Sequence, residues 1–176
     1  MSDWFWNRIY DALEWATRND RMPDEYLNSP TNMSKFIERL IRIAKEEVGT
    51  EEINGTNRGP RVDEYKAATN LPPHESWPWC AAFVSWCLAQ WLREPGNFEA
   101  VQRNDNDTRR AFRCASARAY AWEDWARGNT RCLVLDENAS LQRGDIVTFD
   151  FSHIGIVTAP SDNGVVMTVE GNTNAD

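Results

Sequence analysis

Apolar residues change their spacing along the chain, and the changes separate helical from extended segments. Between Trp4 and Arg18, the residues Trp4, Ile9, Leu13 and Ala16 fall near one helical face and Asp11, Glu14 and Arg18 near the other, which predicts an amphipathic helix. Residues 19–33 hold two prolines with several Asn and Ser, and read as a connector. Ser34 is placed to cap a stronger helix, SKFIERLIRIAKEEVG, in which Phe36, Ile37, Leu40, Ile41, Ala44 and Val48 keep helical spacing until Gly49 stops it. A third helix is predicted from Cys80, because Pro78 is disfavoured in a helix interior and AAFVSWCLAQWL then runs on with helical spacing.

Between these helices, residues 50–78 are rich in Gly, Pro, Asn and charge, and only VDEYKAAT fits a short helix, whose acids Asp63 and Glu64 are expected to be solvated. A loop of this kind normally packs on the surface and often shapes a site. A second polar stretch, REPGNFEAVQRNDNDTRR, precedes a fourth predicted helix within CASARAYAWEDWARG. The tail then changes character: DIVTFDF, HIGIVTA and GVVMTVEG are short, rich in β-branched residues and parted by turn signals such as SDNG. Helices first and strands last predict an α+β domain with a C-terminal antiparallel sheet. The organisation expected is an N-terminal helix and connector over residues 1–33 and one globular unit over residues 34–176.

Composition narrows the classes of partner. With 41% hydrophobic and 26% charged residues the chain has the make-up of a globular protein, and its 176 residues suit one self-sufficient core. A net charge of -8 disfavours nucleic acid and anionic membrane surfaces, which would repel it. The segment MSDWFWNRIYDALEWATRND lacks a positive n-region, an unbroken apolar core and a small-residue cleavage site, so it does not read as a signal peptide. No stretch is apolar enough to span a bilayer, and no membrane insertion is expected. The cysteines Cys80, Cys87, Cys114 and Cys132 contain no CxxC pair, and synthesis in the cytoplasm makes reduced thiols the expectation.

Only two histidines occur, His74 and His153, which restricts the chemistry available. A cysteine nucleophile needs an imidazole to accept and return its proton, and usually a polar group to fix the second ring nitrogen. Cys80, at a helix start, has unpaired N–H groups and the helix dipole to lower its thiol pKa, whereas Cys87 lies mid-helix and reads as a small core residue. His153 opens a strand beside Gly155, and one strand later Glu170 and Asn172 have side chains able to reach the same imidazole. His74, in a Pro-rich loop, reads as a surface residue. Trp77 and Trp79 suit either a substrate groove or packing at the helix start. Asp105, Asn106 and Asp107 resemble part of a calcium loop but lack its Gly and distal Glu, and no His/Cys pair has zinc spacing, so no metal or other cofactor is expected.

The order WCAAFVSW, GDIVTF, SHIGIV and VEGNTN resembles the CHAP and NlpC/P60 superfamily of papain-like peptidoglycan amidases and endopeptidases. The resemblance extends over roughly residues 36–174, including AKEEVG, NGTNRGPRVDEY and ASARAYAW. It implies a papain-like fold with the nucleophile, Cys80, at a helix start, His153 as the base, and Glu170 and Asn172 as its polar partners. One departure is Ser152, where the family usually has Gly before the histidine.

The function expected is therefore a cysteine peptidoglycan hydrolase, amidase or endopeptidase, cleaving an amide bond of the bacterial cell wall. Without a signal peptide, such a protein would reach the wall as a phage endolysin at lysis or as an antibacterial toxin through dedicated export, the latter implying an immunity protein. The alternatives are a cytosolic thiol amidase acting on a small peptide conjugate and a catalytically dead wall-binding module.

Overall fold

The computed structural model describes residues 30–101, 108–130, 132–136, 138–162 and 164–173. The helix expected between Trp4 and Arg18 and the Asp105–Asp107 stretch lie outside these residues. Helix α1 spans Pro30–Glu46, so Ser34 sits inside it and does not cap it. Proline tolerates the first helical position because the N–H it lacks would have no partner there. Phe36, Leu40, Ile41, Ile43 and Ala44 form its buried face. Gly49, at φ +92°, turns the chain in the left-handed region that favours glycine, and Val48, beyond the helix end, is exposed and not part of that face.

Helix α2, Pro60–Lys66, also starts on a proline, and α3, Cys80–Trp91, is the central helix: every residue from Cys80 to Cys87 is buried. Such all-round burial needs neighbours on several sides, and α3 packs against α1, α2 and the sheet. Tyr65 of α2, fully buried, is the hub, with its ring 5.5 Å from Trp79, 5.4 Å from Phe83 and 5.2 Å from Trp86. Its hydroxyl donates to Glu47 at 2.6 Å, which satisfies the one polar atom this placement buries. Two short elements escape the hydrophobic pattern: helix α4, Asn97–Val101, and a 3-10 turn at Arg109–Phe112. The fourth predicted helix forms only over Ala121–Arg127, as α5.

The tail forms a three-stranded antiparallel sheet in the order β1-β2-β3, from Ile146–Phe149, His153–Asp162 and Val165–Glu170. Ile154 and Ile156 of β2 join the helical residues in one core, so β2 is fixed against α3. The architecture is thus mixed helix and antiparallel sheet, as the α+β expectation requires. Beyond Val157 the β2–β3 register slips, at the segment containing Pro160, which has no N–H to give to a ladder. Among the described residues no helix is long and apolar enough to cross a membrane.

Candidate active site

Cys80, His153, Glu170 and Asn172 come together where the start of α3 abuts the sheet. Trp79, the residue before the helix, has non-helical dihedrals and no side-chain cap. Its backbone N–H instead donates to Oδ1 of Asn172 at 2.7 Å, a contact bridging 93 residues of sequence. The segment carrying Asn172 lies tight against the helix. A Cβ at Gly171 would stand 2.5 Å from Cβ of Phe83 and 2.8 Å from Cζ3 of Trp79, so only glycine fits there.

Cys80 is the first residue of α3 and only 5% exposed. Burial pushes its thiol above the ordinary range; hydrogen bonds from the backbone N–H groups of Ala81, Cys80 and Ile154 oppose this, while the Glu170 charge adds to the rise. The expectation of a lowered thiol pKa is therefore reversed, because desolvation outweighs the helix start. The thiol is thus near enough to Ile154, the residue directly after His153, to feel its N–H. Cys87, deeper in the same helix, is pushed up further by burial, and Cys114 is raised as well.

His153 opens β2, and its Nε2 lies 2.8 Å from Oε2 of Glu170. Facing a carboxylate, Nε2 is the ring nitrogen placed to donate, which in the neutral ring leaves the lone pair on Nδ1. The sheet explains how Glu170 reaches the ring. Gly155 and Glu170 are paired across β2 and β3, and the missing side chain at Gly155 leaves space through which Glu170 crosses towards His153. Thr168 donates from Oγ1 to the other oxygen, Oε1, and holds the carboxylate from behind. Asn172, expected to be able to reach the same imidazole, has its carbonyl oxygen on Trp79 instead.

Phe149 pairs with His153 across β1 and β2, and the turn between them folds Phe151 over both rings. Phe151 lies 5.8 Å from His153 at an interplanar angle of 16°, and 5.2 Å from Phe149 at 20°. Ser152 completes the turn at φ +62°, in the left-handed region where glycine is unstrained.

The tryptophans before Cys80 divide. Trp79 is buried, stacked on Tyr65, and donates its indole N–H to Glu52 at 3.2 Å. Trp77 is half-buried; its indole N–H donates to the carbonyl of Pro72, and the ammonium of Lys66 sits 4.7 Å from its ring centroid. Lys66 itself is fully buried and donates to the carbonyls of Asn57 and Glu75, which fastens two ends of the long loop together. Asp63 is not solvated as expected: it takes a two-pronged ion pair from Arg58, at 3.0 and 3.1 Å, and meets Nδ1 of the exposed His74 at 3.1 Å. The Arg58 bonds hold its carboxyl down at about 2.

A thiol, an imidazole whose far nitrogen is fixed by a carboxylate, and a helix start that offers backbone donors are the parts needed for nucleophilic acyl transfer. A family model described as the CHAP domain matches residues 72–172, more than half of the chain and the whole stretch from the approach to Cys80 through Asn172. Among curated proteins and among solved structures, nothing matches.

Proposed function

The chain belongs to the CHAP domain family, and from that premise we propose that it is a papain-like cysteine amidohydrolase that cuts an amide bond in peptidoglycan. Cys80 is the nucleophile, His153 the general base and acid, and Glu170 the group that orients the imidazole. Asn172 is a positioning residue, since its carbonyl oxygen holds the Trp79 N–H and so fixes the peptide that leads into Cys80. The observation that carries this reading is the Nε2–Oε2 contact of 2.8 Å between His153 and Glu170, which leaves Nδ1 as the basic atom, on the residue next to Ile154, whose N–H acts on the Cys80 thiol.

In the first step Nδ1 of His153 takes the thiol proton as sulfur attacks the amide carbonyl carbon. The negative oxygen that forms is met by the backbone N–H of Cys80. Collapse breaks the C–N bond, and the imidazolium gives its proton to the departing amine, leaving a thioester. Water then attacks the thioester, passing a proton to His153 and then to sulfur, and a carboxylic acid leaves. Glu170 stabilises the imidazolium in both halves. A raised thiol pKa suits this scheme, because the proton need leave sulfur only when the base and the substrate are both in place.

Whether the protein is released at lysis or exported as a toxin, the substrate lies in the wall. The deciding experiment incubates purified sacculi with the parent and with Cys80→Ala, and reads the released fragments by mass spectrometry. New amine and carboxyl ends are expected from the parent alone. Equal digestion by Cys80→Ala would remove the nucleophile, and release of no new ends by the parent would leave a wall-binding module.

A further inference from the structure

Phe151 is 70% exposed, yet its ring is stacked on two others. One face lies over the cross-strand pair Phe149 and His153, at near-parallel angles. The rest of the ring is open to solvent. Among the described residues Phe151 is not part of the buried core, and the turn that presents it runs through Ser152 at φ +62°. Stacked on the imidazole, the ring offers an apolar surface to whatever binds there.

Its neighbour says what that is. If His153 is the acid that protonates the departing amine, the amine half of the substrate must pass beside the imidazole, and Phe151 is the apolar surface joined directly to that ring. We propose that Phe151 forms the subsite for the leaving-amine half of the substrate, with its solvent-facing side against the aliphatic stem of that amine. This rests on the reading of Cys80 and His153 given above. By microscopic reversibility the same surface receives any amine that attacks the thioester in place of water: the amine nitrogen bonds to the acyl carbon, the C–S bond breaks, and the amine proton passes through His153 to sulfur.

The test exploits that reversal. Sacculi are digested in the presence of glycine amide, alanine amide or leucine amide, and mass spectrometry gives the ratio of aminolysis to hydrolysis products. The ratio is internal to each acyl-enzyme, so it is unaffected by how much of a variant is folded. For the parent the ratio is expected to rise about fivefold or more from glycine amide to leucine amide, in keeping with the selectivity of an apolar pocket for added methylenes. In Phe151→Ala the rise falls below about twofold, and in Phe151→Tyr, which keeps the ring, it is retained. A flat series in the parent, no aminolysis with any amine, or a series unchanged in Phe151→Ala overturns the subsite. If Cys80→Ala digests sacculi as fast as the parent, it is the nucleophile assignment that fails.

Discussion

Gly155 and Glu170 stand opposite each other across β2 and β3, and a Cβ on Gly155 would lie 2.7 Å from Cγ of Glu170. The carboxylate therefore reaches His153 only because its partner has no side chain. Gly155→Ala is expected to drive Glu170 off the imidazole. Overpacking of this kind costs about 1–3 kcal/mol, to be read from the denaturant midpoint. Sacculus digestion should fall by about 10²-fold, the usual consequence of displacing a catalytic group by around an ångström. Loss of stability with full activity would mean that the His153–Glu170 contact is not needed.

Asn172 offers a separation of roles. Asn172→Ala removes the acceptor of the Trp79 N–H and should cost about 1 kcal/mol together with much of the activity. Asn172→Asp keeps an acceptor at the same place, so stability should be close to the parent's. It also sets a second negative charge near Cys80, and the pH at which iodoacetamide alkylates that thiol should move upward. An alkylation profile for Asn172→Asp that overlays the parent's would show that residue 172 is remote from the thiol.

Thiol reactivity tests the pairing of Cys80 with His153. Cys80 is 5% exposed and raised by burial, so its reaction with iodoacetamide near neutral pH depends on the imidazole as proton acceptor. Cys80 should be modified ahead of Cys87 and Cys114, both buried and raised without such a base, and the half-exposed Cys132 gives the reference rate. His153→Ala should slow Cys80 by about tenfold or more and leave the other three unchanged. Peptide mapping after partial alkylation reads all four at once, and equal rates for Cys80 and Cys87 would count against the assignment.

Asp145 predicts an unusual pH dependence. The carboxyl is buried, Oδ2 accepts the N–H of Gln142 at 2.8 Å, and Oδ1 has no partner among the described residues; burial raises its pKa to about 6. The folded state then holds a proton that the unfolded state, near 3.8, has released. The stability Asp145 contributes is present below pH 3.8 and is lost as pH rises through 6. Its loss by pH 7 is on the order of 1–3 kcal/mol. Asp145→Asn should remove this slope between pH 4 and 7, as measured by urea unfolding, whereas a slope unchanged in the variant would place the titration elsewhere.

What the sequence made legible follows from how local each signal is. Pro78 marked the start of α3 at Cys80, and β-branched runs marked the strands, because a proline or a two-residue period acts within a few positions. Glu170 was visible as a partner for His153 because strand spacing relates neighbouring strands of a hairpin. The contact from Asn172 to Trp79 was not, since no periodicity links residues 93 apart. Burial of Cys80 was hidden for the same reason. The helix start that would lower its pKa is written in neighbouring residues, but the desolvation that wins comes from elements brought together by folding. Phe151 was overlooked in a turn read only as a turn; the signal was an aromatic at every second position in FDFSH.

The ammonium of Lys66 joins the carbonyls of Asn57 and Glu75 beneath the ring of Trp77. Small loops that need such a tie are often closed by a disulfide, whose existence depends on the surroundings. A lysine clasp makes no such demand. The loop leading to Cys80 is held by the same bonds under reducing and oxidising conditions, so its shape is indifferent to a passage between the two.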